Sequence, residues 1–183
     1  MAFTPISLLL STLLLLLFHG PLSGRFLLGS LIIFSAGFLL EAAGVATGLI
    51  FGEYLYGETL GLKLFHTPII IGVNWLMLVY CSLHIAGKYV ESLYFRAIVA
   101  ASMMVVYDFA LEPSAIYLHM WSWTGNAVPL QNYLAWFVIA IGLNYLAGLL
   151  KLNPRENKLA MPMFFIQLGF FILLDIWIFV GGV

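Results

Sequence analysis

The residues most able to do chemistry are acidic side chains embedded in apolar sequence. The chain has 8 Asp and Glu residues, and five lie in or beside long apolar stretches: Glu41, Glu53, Asp108, Glu112 and Asp175. An ionisable group inside a membrane span costs about 2.5–3.5 kcal/mol on insertion scales, so it normally faces the bundle interior and often has a function. A carboxyl group held protonated in such surroundings can act as a general acid. These acids are therefore candidate proton donors.

The composition shows what kind of scaffold must position them. The 183 residues are 63% hydrophobic and only 8% charged, whereas an ordinary soluble domain has about 25% charged residues. This excludes a soluble enzyme and a disordered tail, and seven basic residues at a net charge of −1 exclude a nucleic-acid partner. A single cysteine, Cys81, excludes an internal disulfide and a thiolate metal cluster. The sequence predicts a polytopic membrane protein.

Apolar stretches separated by Gly, Pro and charge predict an all-α bundle of about six transmembrane helices in a single domain, 1–183. The continuous apolar runs lack the alternation of a membrane β-barrel. Pro113 predicts the end of the fourth helix, because the residue before a proline is pushed out of the α region. The predicted spans are residues 4–19, 26–51, 68–87, 94–111, 130–150 and 159–181.

The charges divide between the two sides of this bundle. Six of the seven basic residues fall in the loops of one side, which the positive-inside rule assigns to the cytoplasm: Arg25, Lys88, Arg96, Lys151, Arg155 and Lys158. This indicates a multi-pass protein of the cytoplasmic membrane. Glu91 and Glu156 share those loops, but the other six acids fall in the outer half. Asn74 and Asn132 enter helices 3 and 5 from that same outer side, so five helices direct polar groups towards one zone.

Each feature also has a structural interpretation. Glu41 and Asp175 are explained equally well as neutral acids that hydrogen-bond between helices. Asp108 and Glu112 share one helix face at i, i+4 spacing, and Glu112 fits a helix end in the headgroup zone. The loop tryptophans Trp121 and Trp123 are typical of an interfacial aromatic belt. The four histidines do not cluster, which argues against a histidine-rich oxygenase site, and the sequence assigns no residue as a metal ligand.

Several strings occur together in one known family. The first is Glu41-x-x-Gly44-Val45-x-Thr47-Gly48-x-x-Phe51-Gly52-Glu53-Tyr54-x-Tyr56, followed by Leu60-Gly61-x-Lys63-Leu64-x-x-x-Pro68 and Asn74-Trp75. Later come Asp108-x-x-x-Glu112-Pro113, Trp121-x-Trp123 and Pro129-Leu130-x-Asn132-x-x-x-Trp136. In this order, over about residues 38 to 150, they resemble the carotenoid biosynthesis membrane family. That family includes γ-carotene 1′-hydroxylases (carotenoid 1′,2′-hydratases) and archaeal bisanhydrobacterioruberin hydratases. Ala135 and Glu112 depart from its pattern, which has glycine and aspartate there.

The resemblance implies a hydro-lyase without a cofactor. Its substrates are water and a linear or monocyclic C40 or C50 carotenoid with a ψ end group, and membrane lipid is its other partner. Water adds across the terminal 1′,2′ double bond and forms a tertiary alcohol. This addition needs a proton donor, stabilisation of a tertiary cation and a positioned water.

The hypothesis assigns these roles to residues. Asp108 or Glu53 is the proton donor. Glu41 and Asp175 tune the pKa of this donor or hold the water. Asn74 and Asn132 orient a carboxyl group or the water, and aromatic faces can stabilise a cation. The residues predicted to contact substrate are Asn74, Trp75, Tyr54, Asn132, Glu112 and Trp136.

Two other classes of function remain open from the sequence. One is a prenyl or lipid transferase that holds Mg²⁺ at Asp108 and Glu112. Such an enzyme needs a second acidic motif and basic residues for the phosphates, and the outer half has only Lys63. The other is a non-enzymatic carotenoid or lipid carrier, or a proton relay formed by the acids.

Overall fold

The computed structural model describes residues 3–152 and 157–181, and within these ranges the chain forms six long helices. They are α1 (Phe3–Leu17), α2 (Gly24–Thr47), α3 (Ile70–Ala86), α4 (Leu93–Tyr117), α5 (Leu130–Leu149) and α6 (Ala160–Gly181). The predicted all-α bundle is therefore confirmed, and each predicted span corresponds to one helix. Arg155 and Glu156, which entered the charge argument, lie outside the described residues.

The lengths of these helices distinguish two groups. Four of them, α2, α4, α5 and α6, are long and apolar enough to cross a membrane. The helices α1 and α3 are equally apolar but have only 15 and 17 residues, against the ~20 that a perpendicular crossing of the hydrocarbon layer needs. The chain is therefore a helical membrane protein, with four helices that meet the length of a span by themselves.

The end of α2 differs from the prediction. The helix stops at Thr47 and not at residue 51, because Gly48 adopts a left-handed conformation with φ of 64°. Its N–H donates to the carbonyl of Gly44 at 2.8 Å, which closes the last turn. The residues after Gly48 are thereby released from the helix, and they lead into a short strand.

The end of α4 is also different, because the helix runs through Pro113 as far as Tyr117. Proline lacks the N–H that would continue the ladder, which is why the sequence predicted a stop there. Ser114 and Ala115 in the following turn are fully buried, and the Ser114 hydroxyl donates to Asp175 of α6 at 2.5 Å. Packing and this hydrogen bond keep the last turn helical, so the predicted stop is wrong.

The helix α3 forms the centre of the bundle. Nearly all of its residues from Trp75 to Ala86 are buried, and it packs against each of the other five helices. A helix that is apolar on all sides is expected to be enclosed in this way. In contrast, only Ala160 and Phe164 of α6 are buried, so α6 lies at the edge of the bundle and turns most of its surface outwards.

Four short strands lie between the helices, and the sequence prediction did not include them. The strands β1 (Tyr54–Tyr56) and β4 (Trp121–Trp123) pair antiparallel, with Tyr54 opposite Trp123 and Tyr56 opposite Trp121. The strands β2 (Lys63–Leu64) and β3 (Thr67–Pro68) form a second small pair. We call the β1–β4 pair the ribbon, and the end of the bundle where it lies the ribbon end. It covers the termini of α2, α4 and α5.

Candidate active site

A cavity of about 440 Å³ lies inside the bundle at the ribbon end. This volume is within the range of small-molecule sites. Residues of α1, α2, α3, α4, α5 and α6 line it, together with both strands of the ribbon. Three carboxyl side chains reach the cavity, Glu41 from α2 and both Asp108 and Glu112 from α4. The predicted convergence of acids on one zone is thus present for these three.

Glu41 is buried and held by three hydrogen-bond donors. The phenol of Tyr54 donates to its Oε2 at 2.5 Å and that of Tyr56 at 3.0 Å, while the indole of Trp75 donates to its Oε1 at 3.0 Å. The pKa of Tyr54 and that of Tyr56 are raised well above the usual range. Burial is the largest cause, and the nearby Glu41 carboxylate is the second. Both phenols therefore keep their protons and act as donors. Both oxygens of Glu41 accept hydrogen bonds and are fixed in place.

Asp108 is held differently, although it is equally buried at 2% exposure. The amide of Asn132 on α5 donates to its Oδ2 at 2.8 Å. No hydrogen bond from the described residues reaches the other oxygen, Oδ1. Since no atom of Asp108 is both buried and without a partner, Oδ1 faces the cavity. This carboxyl group therefore has one oxygen anchored and one oxygen open to a ligand.

Glu112 lies one turn after Asp108 and is anchored by the ribbon. The indoles of Trp121 and Trp123 donate to its Oε2 at 3.0 and 2.9 Å. Trp123 and Glu112 are both buried. The two indoles are thus turned towards Glu112, and Glu112 is a buried residue inside α4, which continues to Tyr117. The i, i+2 spacing was the available signal, because it places two side chains on one face of a strand.

Aromatic rings enclose the space around these carboxyl groups. Tyr54 and Trp123 lie with ring centroids 4.8 Å apart, and Trp75 stacks on Trp136 at 4.1 Å with an interplanar angle of 20°. Trp136 lines the cavity, whereas Trp75 lies behind it and is completely buried. Aromatic faces attract cations, by about 2 kcal/mol or more where water is excluded. The cavity can therefore hold a ligand that acquires positive charge.

Asn74 is the polar residue that α3 contributes to the cavity. It is half-buried, and its amide makes no hydrogen bond with the described part of the chain. The amide is thus available to a water or a ligand. Tyr107 and Gln167 also line the cavity and are joined by a hydrogen bond of 3.1 Å. The sequence prediction did not single out either of these two residues.

Two of the predicted catalytic acids do not reach the cavity. Glu53 follows α2 in an exposed position, and its side chain is not among those that line the cavity. Asp175 accepts the hydrogen bond from Ser114 described above and is half-buried outside the cavity. The structure therefore brings together Glu41, Asp108 and Glu112 but leaves Glu53 and Asp175 apart from them.

Within the described residues, no three His, Cys, Asp or Glu side chains come together as a group that could hold a metal ion. Lys63 is engaged elsewhere, since its Nζ donates to Glu58 at 2.7 Å and to the carbonyl of Tyr56 at 2.9 Å. Each of the three carboxyl groups has at least one oxygen held by an N–H or O–H donor, which is the environment of an acid or base.

A helical membrane protein with a carboxyl-lined cavity is the class that the fold and the site define. The family model described as "Carotenoid biosynthesis protein" matches residues 3–183. The chain therefore belongs to this family, as its motifs predicted. No curated protein and no solved structure matches the chain. Membership indicates a carotenoid-modifying, enzymatic role with a carotenoid as substrate.

Proposed function

We propose that the protein is a carotenoid hydratase that adds water across the terminal 1′,2′ double bond of a ψ end group. The observation that carries this proposal is the unequal anchoring of the three carboxyl groups in one cavity. Glu41 accepts hydrogen bonds on both of its oxygens, whereas Asp108 and Glu112 each keep one oxygen without a partner among the described residues. Two acids can thus exchange a proton with a ligand or water, while Glu41 is held in place as an acceptor.

The first step is protonation of the alkene. Oδ1 of Asp108 carries the proton and transfers it to the less substituted carbon of the terminal double bond, which leaves a tertiary cation at the other carbon. The Asn132 amide supports this role because it donates to Oδ2 and so directs the protonated oxygen towards the cavity. General acid catalysis of this kind contributes typically about 10²- to 10⁴-fold in rate.

The cation is then stabilised and captured by water. Tyr54, Trp123 and Trp136 line the cavity, and their ring faces supply negative potential to the cationic carbon. The free amide of Asn74 positions the water. As the water oxygen bonds to the cation it loses a proton to the open Oε1 of Glu112.

The proton must finally return to Asp108. Glu112 and Asp108 lie one helical turn apart on the same face of α4, so a water between Oε1 and Oδ1 completes the cycle. In the net reaction, an alkene and a water molecule form a tertiary alcohol, and neither is oxidised or reduced. Glu41 does not exchange a proton in this scheme. It acts as a positioning residue, because it fixes both tyrosines of the ribbon.

The donors around the acids favour this proposal over the Mg²⁺-dependent transferase. Glu112 Oε2 already accepts two indole N–H groups, and a cation would be repelled by the positive ends of those bonds. Lys63 is bound to Glu58 and is not available to a diphosphate.

We further propose that the chain crosses the cytoplasmic membrane with its basic loops on the cytoplasmic side.

The test is production of the protein in a host that makes lycopene or γ-carotene, followed by mass analysis of the pigments. We expect products that have gained one water, and no such products with Asp108→Asn. Glu91→Gln is the matched control, since Glu91 is an exposed acid in a distant loop, and it should hydrate as well as the natural chain.

Three outcomes would overturn the proposal. Pigment that is bound but never hydrated would indicate a carrier. Release of diphosphate that depends on Mg²⁺ would indicate a transferase. Full hydration by Asp108→Asn would show that the proton comes from another group.

A further inference from the structure

The cavity has a second part that the proposed chemistry does not use. It is lined by Ser7 and Ser11 of α1 and by Ile166 and Phe170 of α6, four residues that take no part in the proposed steps. Both helices pack against α3, so the space between them runs along the surface of that central helix. This part of the cavity is therefore formed by two helices that contribute no acid to its lining.

The exposure of these residues shows that the cavity is open there. Ile166 and Phe170 line the cavity and yet are 69% and 57% exposed. They lie near the middle of α6, which extends from Ala160 to Gly181. Ser7 is likewise exposed and lies in the second turn of α1. The opening thus faces sideways at the depth of the hydrocarbon layer.

The dimensions of the cavity bear on what passes through this opening. The longest stretch of any one helix along the cavity extends from Thr4 to Ser11, which is about 10 Å at a rise of 1.5 Å per residue. A C40 polyene is about as long as the hydrocarbon layer is thick, ~30 Å. A ligand of that length with its end group at Asp108 must leave the cavity, and the side that opens to hydrocarbon is the one between α1 and α6.

We propose that the gap between α1 and α6 is a lateral mouth through which the polyene enters from the bilayer and in which its chain remains during the reaction. This inference rests on the proposed function for the identity of the ligand. Ser7 and Ser11 on α1 leave room for the chain, and Phe170 packs along it. The residues of the mouth then limit the width of the polyene that can reach the acids. The acids select its end group.

Photochemical crosslinking tests where the chain lies. The photoreactive amino acid p-benzoylphenylalanine is placed at Phe170 or, as a control, at Ile172, in otherwise unchanged protein in membranes that contain lycopene. Ile172 is also exposed, but it lies roughly 200° further round α6 and does not line the cavity. We expect at least a fivefold higher yield of pigment-bearing protein from position 170. Equal yields from both positions would overturn the proposal that the polyene chain lies between α1 and α6.

Blocking the mouth is the second measurement. Ser7→Trp should lower the rate of hydration at least tenfold, whereas Ser102→Trp should leave it within twofold, because Ser102 is exposed on α4 and outside the cavity. Equal rates in the two variants would overturn the mouth. If the natural chain hydrates no carotenoid but crosslinks at position 170 only, the mouth is supported and the hydratase proposal is wrong.

Discussion

Both ends of the bundle bury polar side chains between helices, but they use them differently. At the end opposite the ribbon, the Asn157 amide donates to the carbonyl of Leu15 and to the Tyr80 hydroxyl, both at 2.8 Å. His19 Nδ1 also contacts that hydroxyl, at 2.9 Å. At the ribbon end the amide of Asn132 donates to Asp108, and Oδ1 of Asp108 faces the cavity without a partner among the described residues.

Burial does not distinguish these two clusters, since Asn157 is 1% exposed and Asp108 is 2% exposed. The difference lies in whether a polar atom of the cluster is left without a hydrogen-bond partner among the described residues. The cluster around Tyr80 joins neutral groups from three segments of the chain and borders little free space. The cluster around Asp108 contains acids and borders a large cavity. Substitutions at the first cluster should therefore change stability, and those at the second should change activity.

The largest expected effect comes from exchanging the partners at the ribbon end. In the double variant Asp108→Asn/Asn132→Asp, the carboxyl–amide hydrogen bond can form again with the carboxyl group on α5. We expect hydration to fall by about 10²-fold or more while the thermal unfolding temperature in detergent stays near that of the natural protein. An active double variant would show that only the hydrogen-bonded pair is needed, and not the position of the acid.

A smaller loss of activity is expected from Trp123→Phe. The ring that borders the cavity is retained, but one of the two N–H donors to Glu112 is lost. A hydrogen bond to a charged group contributes about 1.5–3 kcal/mol, so the rate of hydration should fall about tenfold or more. Trp177→Phe is the control, because Trp177 is exposed on α6. If both variants lose the same activity, the contact with Glu112 is not the cause.

At the cluster around Tyr80 we expect a substitution to lower stability and to leave activity unchanged. Asn157→Ala leaves the carbonyl of Leu15 and the Tyr80 hydroxyl without their donor, which should lower the free energy of unfolding by about 1–3 kcal/mol. Hydration per folded molecule should be unchanged. Thermal unfolding and pigment analysis on the same preparation check both points, with the exposed neighbour Lys158→Ala as control. A large loss of activity in the folded fraction would contradict the division between the two clusters.

The smallest effect is expected at Glu53. Its sequence motif made it a candidate proton donor, but the structure places it in an exposed position beside Gly48. Glu53→Gln should therefore hydrate within about twofold of the natural chain, measured by the ratio of hydrated to parent pigment. Loss of hydration comparable to that of Asp108→Asn would mean that the ribbon end rearranges to bring Glu53 to the substrate.

The sequence predicted the helices well because their signal is local. Each apolar stretch contains its own evidence, and the same is true of Asp108 and Glu112, which share a face by their spacing alone. The last turn of α4 could not be predicted locally, since it depends on the contact of Ser114 with Asp175, 61 residues further along the chain.

The ribbon was missed for a related reason. Tyr54-x-Tyr56 and Trp121-x-Trp123 are each too short to indicate a strand, and they become strands only by pairing with each other across 67 residues (the separation of the partners Leu55 and Ser122). The same pairing decides which acids matter. It brings two indoles to Glu112 and two phenols to Glu41, and it leaves Glu53 outside. A pattern of charges alone could not separate these acids.

The tryptophans of the cavity have an optical consequence. Trp121, Trp123 and Trp136 line the cavity and Trp75 stacks on Trp136, so four of the five tryptophans of the chain lie within or against the site. A conjugated polyene at this distance accepts excitation energy from indoles, and its arrival will quench most of the intrinsic fluorescence. The protein therefore contains its own reporter of occupancy, which follows binding in real time even in variants that no longer catalyse.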